Sequence, residues 1–248
     1  MSELVHLDVA DGVATITLDS EHNRNALSRQ LVTELLAHLA SAEGDTSAKV
    51  VVIRSAHRVF CSGADLSEAA TGSMEEGARA MIDLQRRLTT STKPVVVVLA
   101  GPVRAGGLGI VGAADLVLAG ESVTFALTEV RLAVAPAIIS ATLLERFSSR
   151  AAADLFLTGR TFTAAEAVAA GLVTRAVPDA ELPVALDEVL ADLALGYPQG
   201  FRETKALLNH DVNARIDALG DDLAALSARL FGSDEAREAM LAFLSRRK

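Results

Sequence analysis

Two short, unbroken apolar runs do most to restrict the folds open to this chain: "KVVVIR" (49–54) and "KPVVVVLAG" (93–101). Valine-rich runs without polar alternation suit strands buried on both faces, and such strands belong to parallel sheets covered by helices. The stretch between them, "MEEGARAMIDLQRRLTTS", reads as a helix. Strand, helix, strand is the repeating arrangement of an α/β fold. Upstream, "LVHLDVADGVATITLD" alternates apolar and polar residues on both sides of Asp11-Gly12, which signals a hairpin. "LSRQLVTELLAHLASAEG" places Leu31, Leu35, Leu36 and Leu39 on one helical face, with Ser28 as N-cap and Gly44 past the end. "DLVLAG" and "VTFAL" read as short strands that follow a short helix around 107–114. Beyond about residue 140 the pattern is almost wholly helical, with Thr163-Ala164-Ala165-Glu166 a capping box and Gly171 a helix stop. These readings predict an α/β core over residues 1–196 and a helical C-terminal region over 197–248.

Composition narrows the function classes. Half of the residues are apolar and 22% are charged, enough for a substantial core. The formal net charge is −9 and the basic residues do not cluster, which argues against nucleic-acid binding. An anionic ligand would have to be met by local Arg or Lys and backbone N–H groups, and there are only four lysines against nineteen arginines. Five scattered histidines show no metal-ligand spacing, and neither H-E-x-x-H nor C-x-x-C occurs, so no metal is expected. The single cysteine, Cys61, excludes an internal disulfide framework and fits a reducing cytoplasm. "MSELVHLDVADG" lacks the basic and apolar regions of a signal peptide, and charged residues interrupt the apolar stretches short of the ~18 residues of a membrane span. The expectation is a cytoplasmic protein without a membrane partner.

The segment "RAGGLGIVGAAD" (104–115) contains a literal G-x-G-x-x-G at Gly107–Gly112. In a dinucleotide-binding fold the first glycine follows almost directly on the first strand. Here Gly107 comes eight residues after Leu99, past Gly101, Pro102 and Arg104, and the unit is mid-chain. Glu129 falls about where a ribose-binding acid would, but an intervening strand and loop separate it from the glycines. Close helix packing is a second use for the glycines. A third comes from "FCSGADL" (60–66), which follows one buried strand as "AGGLG" follows the next. Two such loops can converge and each aim a backbone N–H at one carbonyl oxygen, which is the construction of an oxyanion hole for a thioester enolate.

These segments resemble the enoyl-CoA hydratase/isomerase, or crotonase, superfamily. The resemblance is carried by "NRNALS" (23–28), "FCSGADL", "GPVRAGGLGIVGAAD" (101–115), "FALTEVRLAVAP" (125–136), "LTGRTFTAAEAVAAGLV" (157–173), "RETKALL" (202–208) and the terminal "AREAMLAFLSRRK". It implies a crotonase-like α/β fold of repeated ββα units with a helical C-terminal region. It assigns the oxyanion-hole N–H groups to Ala64 and Gly106. It sets Ser62, Asp65 and Leu66 in the loop that holds the adenine end of coenzyme A, with Asp65 organising that loop, and it gives Arg24 to the phosphates. Phe243 and Arg246 match an aromatic residue and a cation that cover the coenzyme. Coenzyme A would enter as part of the acyl-CoA substrate, without a prosthetic group, and the protein would be a homotrimer or homohexamer joined through its C-terminal helices.

The chain departs from the pattern at several positions. Ser20-Glu21 replaces the usual Arg-Pro beside the phosphate site, and Ala105 replaces a usual glycine. Of the two glutamates that flank a water molecule in the best-known hydratases, the first position is Gly109 and only the second, Glu129, remains. One carboxylate suffices to move a proton between two carbons of an enoyl thioester, and also to activate water and return the proton. The resemblance therefore implies a hydratase that works with a single glutamate, with a 3,2-trans-enoyl-CoA isomerase and an acyl-CoA-binding paralogue with little catalysis as alternatives. Pro136–Ser140 replaces a glycine-rich turn with larger residues, which should reshape the acyl pocket. Arg104 and Arg131 are candidates to meet an extra carboxylate on the substrate, or else to face solvent.

Overall fold

A computed structural model describes residues 2–65, 67, 68 and 74–245. Strands β1 (Val5–Ala10) and β2 (Val13–Leu18) form the expected hairpin, and Asp11 and Gly12 supply the two positive-φ positions its turn needs. Helix α1 (Arg29–Gly44) starts where Ser28 Oγ accepts the Leu31 N–H. It runs to the expected stop residue itself, taking in Gly44, with Asp45 as its C-cap. Next come β3 (Val50–Ser55), α2 (Met74–Thr90), β4 (Val95–Leu99), the two-residue β5 (Val103–Arg104), α3 (Gly107–Ala113), β6 (Leu116–Gly120) and β7 (Thr124–Ala126). A 3-10 helix, Glu129–Leu132, then leads to α4 (Ser140–Arg146) and α5 (Ser149–Thr158). The region after residue 140 is not wholly helical. Strand β8 (Thr161–Thr163) precedes α6 (Ala164–Ala170), and β9 (Arg175–Val177) follows it. Each is three residues long, too short for a periodic signal. The capping box is present, with Thr163 and Glu166 bonded reciprocally. The chain ends in α7 (Leu182–Ala194), α8 (Pro198–Leu208), α9 (His210–Phe231) and α10 (Asp234–Ser245).

The main sheet has the order β1-β2-β3-β4-β6-β9, antiparallel only between β1 and β2. The valine runs behave as strands buried on both faces should. Val51, Ile53, Val95, Val97 and Leu99 enter the large core, while Val50, Val52 and Val96 face the other way, onto Leu118 and Leu182 of α7. A second, small sheet has the order β5-β7-β8. Within it β5 and β7 run parallel, with Val103 opposite Phe125 and Arg104 opposite Ala126, so the chain leaves both strands on the same side.

The C-terminal helices are built into this core. Val212 and Ile216 of α9 share a cluster with Ile82 of α2 and Ala141 of α4. Helix α10 packs against the 3-10 helix at 129–132. Lys205 of α8 reaches the interior, where its Nζ lies 2.5 Å from Asp115 Oδ2 and also donates to the Leu88 and Lys93 carbonyls. Among the described residues, no helix is long and apolar enough to cross a membrane.

Candidate active site

The two glycine-bearing loops meet in a hydrogen-bonded seam. The Phe60 N–H donates to the Pro102 carbonyl at 3.1 Å, and the Arg104 N–H donates to the Cys61 carbonyl at 3.0 Å. The buried thiol of Cys61 lies inside the seam, and burial pushes its pKa up to about 12. Beyond the seam, the Ala105 N–H donates to the Ala126 carbonyl at 2.9 Å, which fastens the loop to β7. Ala105 sits at φ 47°, a left-handed conformation that costs a residue with a Cβ about 1–2 kcal/mol. A glycine would hold this position without that cost.

Ala64 and Gly106 follow directly. A Cβ placed on Gly106 would lie 3.8 Å from the Ala64 nitrogen and 2.9 Å from Leu27 Cδ1, so the two backbones approach closely and a side chain at 106 would have to displace the tip of Leu27. Among the described residues, neither the Ala64 nor the Gly106 N–H has an acceptor within the protein. Both residues line one cavity of about 560 Å³. Two unpaired donors on the wall of such a cavity are what an oxyanion requires.

The three glycines of the G-x-G-x-x-G motif do not cradle a phosphate. A Cβ on Gly107 would lie 2.7 Å from Cys61 Cβ, one on Gly109 2.8 Å from Ile139 Cγ2, and one on Gly112 2.8 Å from Leu143 Cδ2. They let α3 press against the seam and against α4. The space that a side chain at 109 would need is held by Ile139 and by Gln85, whose Oε1 accepts from Thr142 Oγ1 at 2.8 Å. Ile139, in the 136–140 segment, thus occupies the space that an acid at 109 would need.

Glu129 begins the 3-10 helix just past β7, on the same side as the exit from β5 to Gly106. It is 8% exposed, and its Oε2 is buried with no hydrogen-bond partner among the described residues. A surface position, the alternative for a loop glutamate, is thereby excluded. Burial disfavours its charged form and pushes its pKa up to about 7. The wall of the 560 Å³ cavity does not include Glu129, which lies on the element covered by α10.

The remaining candidates fall into three groups. Asp65 lines the same cavity. Its Oδ1 accepts from the Ser67 N–H and hydroxyl at 3.0 and 2.6 Å and its Oδ2 from Asn23 at 3.1 Å, bonds that hold its carboxyl below the usual range although burial opposes them. Ser62 Oγ donates to the Asn23 carbonyl at 3.0 Å, and Arg24 is exposed at φ 59°. Leu66 and Arg246 lie outside the described residues, as does the side chain of Phe243. Neither arginine proposed for an extra carboxylate lines the cavity. Arg104 is spent on the Thr124 carbonyl and hydroxyl at 2.6 and 2.8 Å, and Arg131 donates to the Thr158 carbonyl. Sequence reasoning missed the cavity face of α2, although Met74, Gly77, Ala78 and Met81 recur at the i, i+3, i+4, i+7 spacing of one helical stripe.

The family model for enoyl-CoA hydratase/isomerase matches residues 8–248 of this chain. The chain belongs to the enoyl-CoA hydratase/isomerase family. Within that family it is similar to a solved enoyl-CoA hydratase from Mycobacterium avium, with a TM-score of 0.92 and 46% identity over 99% of this chain and 98% of the other. It is 30% identical to the 2,3-dehydroadipyl-CoA hydratase of Escherichia coli K12, over 100% of this chain and 97% of that protein. An enoyl-CoA hydratase of Mycobacterium tuberculosis is 28% identical over 94% of this chain and 90% of its own length. The crotonase-like fold expected from the motifs is the fold observed.

Proposed function

We propose that this member of the family is an enoyl-CoA hydratase that adds water across the 2,3 double bond of an enoyl-CoA thioester. The observation that carries the proposal is the pair of unpaired N–H groups, Ala64 and Gly106, on one cavity wall. In this reading they hold the thioester oxygen, and Glu129 serves as both base and acid. The ionised Glu129 takes a proton from water while the water oxygen bonds to C3. The electron pair of the double bond moves onto the thioester oxygen, where the two N–H groups stabilise the enolate. C2 then takes the proton back from Glu129 and the carbonyl is restored. A pKa near 7 suits a group that must give and accept a proton in one turnover. Each oxyanion donor is worth on the order of 10²–10³ in rate.

A second reading, 3,2-trans-enoyl-CoA isomerisation, draws on the filled space beside Gly109. With Ile139 there, Glu129 has no second acid to share the work, and it would take a proton from C2 and return it at C4. In either reading the Arg24, Ser62, Asp65 and Leu66 region would receive the nucleotide end of coenzyme A, with Phe243 and Arg246 as its cover. Exposed Leu195, Tyr197, Leu207 and Leu208 support assembly into a homotrimer or homohexamer through the C-terminal region.

The test follows the ultraviolet absorbance of the conjugated thioester. Hydration predicts loss of the crotonyl-CoA signal, reduced by about 10²–10⁴ in Glu129→Gln. Signal gained from a 3-enoyl-CoA, with crotonyl-CoA untouched, would make the protein an isomerase. Acyl-CoA binding without change in either signal would leave the binding paralogue.

A further inference from the structure

The direction of the Gly106 donor is set by α3. Gly106 itself has helical backbone angles, φ −50° and ψ −27°, so its N–H points along the helix axis and out of the N-terminal end. Tilting or sliding α3 would re-aim that donor. The side chains of α3 offer little resistance to such a movement. The helix is buried from end to end, but three of its seven residues are glycine. Glycines let Cys61, Ile139 and Leu143 come close and give them no side chain to interlock with.

The grip on α3 comes from the opposite end. Arg146, in the last turn of α4, donates from Nε to the Gly112 carbonyl at 3.0 Å, and its Nη2 reaches the Ala114 carbonyl at 3.5 Å. Carbonyls at the end of a helix lack N–H partners within it, and a guanidinium fork can satisfy two of them at once. Arg146 is held in turn. Its Nη2 donates to Asn209 Oδ1 at 3.2 Å. Asn209 is 1% exposed, and its Nδ2 donates to the Thr89 carbonyl at 3.1 Å and to Asp115 Oδ1 at 3.4 Å. Asp115 Oδ2 takes the Val95 N–H and the Lys205 ammonium. This buried chain of polar groups ties α2, α4, α8 and β4 together at the foot of α3. Burial pushes the pKa of Arg146 down, and Asp115 and Glu145 oppose that shift. A partly desolvated guanidinium does not readily exchange its carbonyl partners for water.

Resting on the reading of Gly106 as a thioester donor, we propose that Arg146 is a positioning residue for the oxyanion. It fixes the foot of α3 and thereby the aim of the Gly106 N–H at the other end, about 10 Å away along the axis. Arg146 does not line the cavity, so its effect passes through α3.

The experiment reads the aim of the donors. Saturated butyryl-CoA, isotopically labelled at its carbonyl carbon, has no double bond to hydrate or move, and infrared difference spectra report how strongly its bound carbonyl is polarised. In the parent the band should move to lower frequency on binding, because two aimed donors draw charge onto the oxygen. In Arg146→Met that shift should shrink by at least half, and kcat for the enoyl-CoA turned over should fall about tenfold with KM changed less than about twofold. Arg146→Lys keeps a cation and one donor for the Gly112 carbonyl. It should retain an intermediate shift, and it serves if the methionine variant does not fold. A role confined to stability would lower the melting temperature and leave the carbonyl shift at its parent value. That result, in every variant that folds, overturns the proposal and leaves the reading of Ala64 and Gly106 intact. No binding or no shift in the parent overturns that reading, and the proposal falls with it.

Discussion

Glu129 is a buried carboxyl whose Oε2 has no partner among the described residues, and its rate and stability consequences run in opposite directions along the pH axis. In the proposed role of base it must be ionised, so kcat/KM should rise with pH and level off above an apparent pKa of about 7. Between its ordinary value of 4.5 and about 7 the folded protein holds a proton that the unfolded chain releases. Stability therefore falls as pH rises through that window. Glu129→Gln removes the cost, so it should stabilise the protein by roughly 2–3 kcal/mol at about pH 8 and by little at about pH 4. Thermal melts of the two proteins at both pH values check this, and a difference independent of pH would show that Glu129 is not held neutral. The identity and spacing of Glu129 were legible in the sequence. Its burial was not, because the 3-10 helix that carries it packs against α5 and α10, elements later in the chain.

At the scale of elements, α3 explains why a glycine motif can mislead. The glycines were visible as a pattern, but the pattern is shared by phosphate loops and by tightly packed helices, and only the neighbours decide between them. Cys61, Ile139 and Leu143 are those neighbours. Restoring an acid by Gly109→Glu should accordingly fail. The new side chain drives into Ile139, costing about 1–3 kcal/mol, and hydration of crotonyl-CoA should not improve. Combining it with Ile139→Gly should recover part of the lost melting temperature, whereas additive losses in the double variant would contradict the shared space. The valine runs were legible for the converse reason: a strand buried on both faces writes its environment directly into its residues. Strands β8 and β9, at three residues each, write too little to be read.

For the whole molecule, Lys205 is one buried polar tie between the C-terminal helices and the sheet. Burial lowers its pKa while Asp115 opposes that effect, and Asp115 also accepts the Val95 N–H at 2.7 Å. One ion pair thus joins α8 to the segments leading into β4 and β6. Lys205→Met would leave Asp115 buried without its cation and should cost about 3–5 kcal/mol, read as a lower denaturant midpoint. Adding Asp115→Asn should return part of it, and a cost below about 1 kcal/mol for the single change would mean that the pair is solvated. The sequence announced amphipathic helices at this end of the chain. It could not announce which buried carboxylate one of their lysines would find, since that depends on two elements folding against each other.

The seam between the two loops carries a clock of its own. Its Cys61 is the chain's one thiol, fully buried and bonded through its carbonyl to Arg104, so an alkylating reagent can reach it only when the loops part. The labelling rate of the unmodified protein therefore reports the free energy of that local opening, with no probe introduced. If a thioester binds Ala64 and Gly106 as proposed, it holds the seam shut. Labelling should then slow in proportion to one plus the ratio of acyl-CoA concentration to its Kd. A rate indifferent to acyl-CoA would mean that the two loops open and close without regard to what lies between them.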